Sequence, residues 1–439
     1  MPLWGSSNTT KSAEPDNTAA DPPSYQDRDL ERRQSQNDPA ASASQAAGTA
    51  WLAGHLHHLT GEQDDKLAAF KKLCAERGYY TAAGAEGEMK ASHDDATMLR
   101  FLRARKFDVD AAWGQFKDTE DWRRDNAITE LYENIDVEAY DAARRMYPQW
   151  TGRRDRRGIP VYVFEIQHLN SKNMAAYNST MSSEAQPETH KSSSVPQRLL
   201  RLFALYENLL NFVMPMCSRL ARPNPETPIV TSTNIVDVSG VGLKQFWNLK
   251  GHMQDASVLA TAHYPETLDR IFIIGAPAFF PTVWSWIKRW FDPGTTSKIF
   301  ILSASEVKPT LTSFMDLSSI PKQYGGELDW KWGEMPNLDE PSRELLGSLQ
   351  TPPAEGESHP GLTKGPMRFK GDQIEVLGKV DGQSRQTIVS VPKQQAAAGD
   401  ENGVPKTANG NAPAAAEKSD LANGAATAPA TQDTAAATA

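Results

Sequence analysis

The chain has 439 residues, 39% of them hydrophobic, which is enough for one large or two ordinary domains but too little apolar material for the whole length to fold. Its 46 basic and 55 acidic residues give a net charge of -9, which excludes the footprint of a general nucleic-acid binder and leaves room only for local basic patches. No apolar run reaches the roughly 18 residues of a bilayer span. The opening MPLWGSSNTTKSAEP lacks the regions of a secretory signal, and Cys74 and Cys217 cannot build a disulfide framework or a cysteine-rich metal site. A cytosolic or peripheral protein in a reducing compartment is expected.

Residues 1–55 are rich in Ser, Ala, Asp, Gln and Pro and read as a disordered arm, because ordering them would find little burial to offset the entropy. A helical region at 56–130 follows. Thr60 opens a helix with Leu67, Phe70, Leu73 and Cys74 at helical spacing and Gly78 as its stop. A second helix starts near Asp95, with Met98, Leu99, Phe101 and Leu102 on its apolar side and Arg100, Arg103, Arg105 and Lys106 making it basic. Val109 to Arg124 reads as a third, with Ala112, Trp113 and Phe116 inward. Helices this short need one another or a neighbouring domain to bury their stripes.

Beyond Gly158 strands and helices alternate. PVYVFEI at 160–166, IVTSTNIVDV at 229–238, RIFIIGA at 270–276 and KIFIL at 298–302 read as strands. Between them, Gln197 to Met216 is apolar over most of its circumference, Val241 to Tyr264 is helical, and PTVWSWIKRWF makes a short aromatic helix. The alternation predicts an α/β fold, a sheet covered by helices, over 131–335. An extension at 336–390 carries a pair of strands or a hairpin in GPMRFKGDQIEVLGKVDGQSRQTIVSV, and 391–439 is a low-complexity tail.

The common catalytic signatures are missing: no G-x-S-x-G elbow, no dinucleotide or phosphate loop of glycines, and no H-E-x-x-H pair. His168, His190, His252, His263 and His359 are widely separated, and Ser239 in VSGVG and Gly325 and Gly326 in QYGGE suit turns. No enzymatic activity, metal or cofactor is expected.

LRFLRARKFDV at 99–109, D-x-x-G-x-P-V-Y at 155–162, MCSR at 216–219, YPE at 264–266, FDPGTTSKIFIL at 291–302 and PKQYGGEL at 321–328 stand in one order over 230 residues. Any one is weak; the ordered set resembles the fungal phosphatidylinositol and phosphatidylcholine transfer proteins, which join a small helical region to a CRAL-TRIO lipid-binding domain. The resemblance implies an apolar cavity floored by a β-sheet, closed by a helical gate and holding one phospholipid. Lys106, Glu266, Thr295 and Lys298 match its phosphatidylinositol headgroup positions. Without the resemblance, Lys106 reads as a solvated lysine, Glu266 as a helix N-terminal carboxylate, and Thr295 and Lys298 as flanks of the strand at 298.

Tyr162 and Ser232 match positions around a second phospholipid's phosphate, joined by Asn234, but Asn234 replaces the family threonine and Thr151 a family tyrosine. Phosphatidylcholine, another second lipid, and phosphatidylinositol alone therefore all stay open. Residues 277–291 match the gate: Phe279, Phe280, Val283, Trp284, Ile287, Trp290 and Phe291 offer apolar surface for a transient membrane contact beside Lys288 and Arg289. Core packing of the same aromatics is the plain alternative. The resemblance further implies a cytoplasmic protein, peripheral on Golgi or endosomal membranes and coupled to phosphoinositide kinases. A lipid-presenting adaptor, and a carrier of neutral cargo such as sterol, remain as alternatives.

Overall fold

The computed structural model describes residues 50–84, 90–180, 195–290, 296–385 and 387–391. Nearly all of the two terminal arms, 1–49 and 392–439, thus lies outside the described residues. Ala50 to His55 falls at the end of the span expected to be a disordered arm, yet Leu52 is fully buried and His55 nearly so. Gly54 sits on the Phe107 ring, the Leu56 carbonyl accepts from Thr227 Oγ1 at 3.2 Å, and the Trp51 ring lies 4.9 Å from the Arg157 guanidinium.

Three capped helices follow. In α1 (Gly61–Glu76) Thr60 and Gln63 exchange side-chain and backbone hydrogen bonds, at 3.2 and 3.0 Å. Asp94 caps α2 (Asp95–Ala104) through the Thr97 N–H, and Asp108 caps α3 (Val109–Asp125) through Ala111. Their stripes meet on Phe116, whose ring takes Phe70 at 5.8 Å and Phe101 at 5.1 Å edge-on. Two short helices, α4 (Ile128–Asn134) and α5 (Val137–Arg144), lead into the sheet.

The sheet has five strands in the order β1 (Gln149–Arg154), β2 (Pro160–Glu165), β3 (Ser232–Asp237), β4 (Leu268–Ile274) and β5 (Ile299–Ile301). The pair β1–β2 is antiparallel and the rest are parallel, so the expected α/β architecture is the observed one, with a mixed sheet and surrounding helices. Alternation divides the side chains between two layers. Val161, Val163, Ile235 and Phe272 pack against α11 (Ala304–Phe314) and the segment reaching Trp330. Phe164, Val236, Ile271, Ile273 and Ile299 face α9 (Leu243–His263) and α10 (Phe280–Ile287) instead.

Between β2 and β3 run α6 (Ser171–Ser179), α7 (Gln197–Asn208) and α8 (Met214–Arg219). A π turn, Leu209–Val213, joins α7 to α8 just before Pro215. Proline has no N–H to give and its ring crowds the carbonyl four residues earlier, and the wider turn relieves both.

The extension does more than form a hairpin. It holds α12 (Glu340–Leu346), the short pair β6 (Gln350–Thr351) and β7 (Gly361–Leu362), and strands β8 (Met367–Lys370), β9 (Gln373–Val376), β10 (Lys379–Val380), β11 (Gln383–Ser384) and β12 (Thr387–Ser390). The last sheet runs β12–β9–β8, and Met367, Ile374 and Val376 are buried in one core with Trp150, Phe212 and Met216. Gly152, at φ +88°, lies against Asn337, and a Cβ there would stand 2.5 Å from the Asn337 backbone carbon. Gly152→Ala is therefore expected to cost about 2 kcal/mol or more through backbone strain and this clash. Urea unfolding checks it, and a midpoint equal to wild type would remove Gly152 from any role in seating the extension.

Candidate functional site

The helices over the front of the sheet leave a cavity of about 190 Å³. All its lining side chains are apolar: Phe164, Val236, Ile271, Ile273 and Ile299 form the floor, Phe246 and Met253 come from α9, and Phe279, Phe280, Val283, Trp284 and Ile287 form the roof. Of the gate residues named from sequence, Phe280, Trp284 and Ile287 are buried and face inward, Phe279 is half-buried, and Lys288 and Arg289 are exposed. Trp290 ends the turn Lys288–Trp290, and Phe291 lies outside the described residues.

Beside this roof, α9 turns large apolar side chains to solvent. Phe246 and Leu249 point inward, which leaves Leu243 and Trp247 outward at 51% and 58% exposure. The Trp247 ring meets Trp286 edge-on at 5.9 Å, and Lys250 Nζ stands 5.2 Å above it. No periodicity within residues 277–291 could have pointed to Trp247, because it belongs to a different helix.

A charged cluster occupies the edge where β3, β4 and β5 begin. Lys298 directly precedes Ile299 of the cavity floor; its Nζ lies 3.5 Å from Glu266 Oε2 and donates to the Leu268 carbonyl at 3.1 Å. The same Glu266 oxygen accepts from Arg103 Nη2 at 2.8 Å. Glu266 has left-handed backbone at φ +58°, as do Lys106 at +52° and Phe107 at +61°. Such conformations carry strain in residues with a side chain and concentrate at functional sites. Lys106 itself is exposed on the turn after α2, with no ion pair to Glu266 among the described residues, and Thr295 lies outside them.

Sequence reasoning gave no site role to Arg103, Asp269 or Arg157 in this cluster. Arg103 entered only as part of a basic helix side, although it stands one turn after Leu99 at the border of the apolar stripe. Asp269 and Arg157 carried no signal at all. Arg157 holds Asp155 at 2.8 Å and Asp269 through two contacts, one of 3.2 Å, and Arg270 adds a bond to Asp269 at 3.1 Å. Burial would push the Asp269 carboxyl up, but the guanidiniums of Arg157 and Arg270, with Lys298, hold it below the usual carboxylate range. Burial also lowers the Arg103 guanidinium, against the pull of Glu266 and Asp269. Four cations, Arg103, Arg157, Arg270 and Lys298, face three carboxylates, Asp155, Glu266 and Asp269, leaving one positive charge in excess. His55, beside Arg103, is neutral: burial takes its pKa down to about 4, and Arg103 pushes the same way.

The second set is placed on the same sheet edge. Tyr162 pairs with Asn234 across β2 and β3 and is half-buried, its hydroxyl pKa raised by burial. Asn234 Nδ2 donates to Ser232 Oγ at 3.0 Å, and Ser232 Oγ donates to the Thr267 carbonyl at 3.2 Å. Thr151, fully buried, spends its hydroxyl on the Val161 carbonyl at 3.0 Å, inside the β1–β2 pair.

Among the described residues no helix is long and apolar enough to cross a membrane, and no group of three or more His, Cys, Asp or Glu side chains could hold a metal ion. The CRAL/TRIO domain model matches residues 144–326, and the CRAL/TRIO N-terminal domain model matches 66–118. A CRAL-TRIO domain-containing protein of Saccharomyces cerevisiae is 34% identical over 282 residues, 63% of this chain and 81% of that one. A SEC14 cytosolic factor of Kluyveromyces lactis is 30% identical over 67% of this chain and 87% of its own. A phosphatidylinositol/phosphatidylcholine transfer protein of Arabidopsis thaliana is 34% identical over 53% of this chain and 40% of its own. With this fold, an apolar cavity between sheet and helices, and these relatives, the chain belongs to the CRAL-TRIO family of lipid-binding proteins, which carry lipid and catalyse no reaction.

Proposed function

We propose that this protein binds one phosphatidylinositol and moves it between membranes, exchanging it for phosphatidylcholine or another second lipid. The observation that supports the reading most is Lys298, ion-paired with Glu266 and adjacent to the floor of an apolar cavity. Acyl chains gain about 0.8 kcal/mol per buried methylene in such a space, while the phosphodiester needs a cation where it leaves water. Lys298, with Lys106 and Thr295, takes the phosphate and inositol, and Glu266 orients Lys298. Tyr162, Ser232 and Asn234 take the phosphate of the second lipid. The helical region at 56–130, the lipid domain at 131–335 and the extension at 336–390 are the working parts of this proposal. Delivery to Golgi or endosomal membranes, in support of phosphoinositide kinases, is its cellular form.

A cavity of about 190 Å³ falls below the roughly 300–1,000 Å³ of ordinary ligand pockets, so a two-chain lipid requires α10 to move outward. Trp247, Leu243 and Trp286, flanked by exposed Lys244, Lys288 and Arg289, are the side chains placed to settle at a membrane interface as it does. Trp247→Ala with Trp286→Ala is expected to slow vesicle-to-vesicle transfer several-fold while the phosphatidylinositol content of the purified protein stays unchanged. Loss of bound lipid together with transfer would reassign these tryptophans to the cavity wall.

The deciding experiment is native mass spectrometry with lipid identification after incubation with mixed vesicles, on wild type, Lys298→Ala and Glu266→Ala. One phosphatidylinositol in wild type, lost in both variants, is expected. Phosphatidylinositol retained normally by both variants would overturn the headgroup assignment. The small, wholly apolar cavity favours one second reading, a neutral cargo such as sterol, and a sterol in the same spectrum would establish it.

A further inference from the structure

The segment LRFLR carries a second cation that the lipid site does not use. Arg100 is 5% exposed on α2, and none of the described residues accepts a hydrogen bond from its Nη1. The carboxylate suited to it is already saturated. Glu207 Oε1 accepts from Arg123 Nη1 at 2.5 Å and from the Tyr264 hydroxyl at 2.8 Å, while Oε2 accepts from Arg123 Nη2 at 3.0 Å and Asn211 Nδ2 at 3.1 Å. Arg123 and Glu207 neutralise each other, so Arg100 is the charge left over. Burial lowers its pKa to about 10, with Asp94 and Glu207 pulling the other way, and it stays protonated at neutral pH.

A buried guanidinium edge without an acceptor is a costly arrangement, and a bound group that supplies the acceptor removes the cost. A cavity of about 750 Å³ opens beside Arg100, bounded by α2, α3, the α7–α8 junction and the edge of β8. It shares no residue with the apolar cavity. Its wall is mostly polar and includes Lys90, Ser92, Asn211 and Arg219, the last held against the Phe369 ring at 4.2 Å and donating to the Gly371 carbonyl at 2.8 Å. The wall's carboxylates are engaged: Asp94 caps α2, Glu120 lies 3.9 Å from Arg123 Nε, and Glu207 is paired. Lys90, Arg100, Arg123 and Arg219 against Asp94, Glu120 and Glu207 leave one positive charge.

We propose that this second cavity binds a phosphate group, with the Arg100 guanidinium donating to a phosphate oxygen and Lys90 and Arg219 facing its charge. A soluble phosphate compound and the exposed headgroup of a membrane lipid present the same chemistry. The mostly polar wall suits a headgroup better than acyl chains, so a lipid would enter headgroup first, unlike the cargo of the apolar cavity.

The test uses the full chain. Thermal midpoints are measured against inorganic phosphate, with sodium chloride holding ionic strength constant, for wild type, Arg100→Met and Lys298→Ala. Wild type and Lys298→Ala rise by several degrees with phosphate. Arg100→Met shows no phosphate response and, freed of its unpaired cation, starts no lower than wild type. In the second arm, the same proteins are sedimented with phosphatidylcholine vesicles containing phosphatidylinositol. Loss of vesicle binding in Arg100→Met, without a free-phosphate response in wild type, names a lipid headgroup as the source. Arg100→Met that keeps both the phosphate shift and vesicle binding overturns the proposal. Should Arg100→Met not fold, hydrogen exchange on wild type decides: inorganic phosphate or phosphatidylinositol-containing vesicles slow exchange in residues 95–104, and exchange unchanged by either overturns the site. Failure of the headgroup reading would show in Lys298→Ala alone, so the two are separable.

Discussion

Lys298→Ala is expected to lower phosphatidylinositol transfer between vesicles at least tenfold while the folded state persists. A hydrogen bond from a charged group to a phosphate contributes about 1.5–3 kcal/mol, and 1.4 kcal/mol is a factor of ten in affinity. The side chain is half-buried, so its removal creates no large void, and its partner Glu266 keeps the Arg103 bond at 2.8 Å. Glu266→Ala acts differently. It leaves Arg103 and Lys298 facing each other without a carboxylate, so both phosphatidylinositol loading and stability should fall. Lys298→Arg retains charge but replaces a compact ammonium by a planar fork, and an intermediate rate is expected. Fluorescent-lipid transfer with phosphatidylinositol and phosphatidylcholine in parallel separates headgroup recognition from gate opening. Equal phosphatidylinositol transfer by Lys298→Ala and wild type would end the headgroup assignment.

What could be read from the sequence was what is local. Thr60, Asp94 and Asp108 cap their helices through residues three places on, so α1 to α3 were visible from spacing. The apolar runs of β2 to β5 were visible too, because parallel strands buried on both faces lose the polar half of the alternation. QWTGRR was not: β1 lies at the edge, pairs with one neighbour, and owes its shape to Gly152 under Asn337. Trp51 and Leu52 looked like isolated apolar residues because their partners, such as Arg157, lie more than 100 positions away. The site followed the same division. Lys298 and Glu266 were reachable through motif order, whereas the Arg103–Glu266 bond spans 163 positions and the Arg157–Asp269 pair 112. Nothing in the spacing of either arginine encodes such a partner.

Residues 277–291 illustrate how a composition can be read from sequence while its orientation stays open. Phe280, Trp284 and Ile287 follow helical spacing, which places them on one face but does not say whether that face meets lipid, membrane or core. The sheet decides: Ile271, Ile273 and Ile299 present a continuous apolar floor, and the helix covers it in water. The exposed role then passes to Trp247 and Leu243 on α9. Under the proposed transfer function, opening would expose the buried face of α10 beside them, so one apolar surface would grow from another already in place and membrane docking would be coupled to cargo release.

Glu207→Gln is expected to cost about 3 kcal/mol, the low end for breaking a buried pair, because the Arg123 side chain is 24% exposed and Glu120 stands 3.9 Å from its Nε. Glu207 is 4% exposed, and four donors converge on its two oxygens. Burial alone would raise its pKa; Arg123 first, then the Tyr264 hydroxyl and the Asn211 amide, outweigh burial and hold the carboxyl below the usual range. A carboxyl with a lowered folded pKa contributes stability that is complete above its unfolded pKa of about 4.3 and is lost as pH falls through the folded value. Wild type should therefore lose stability on acidification below about pH 4, and Glu207→Gln should lose less over the same range. The effect reaches the lipid site, because Tyr264 opens the turn that holds Glu266 left-handed, and its ring stacks on Tyr206 at 4.8 Å and Phe203 at 5.6 Å. Urea unfolding of wild type, Glu207→Gln, Arg123→Met and the double variant gives the coupling: the double should be less destabilised than the sum of the singles. Additive losses, or an acid limb unchanged in Glu207→Gln, would show that the pair does not anchor the turn that carries Glu266.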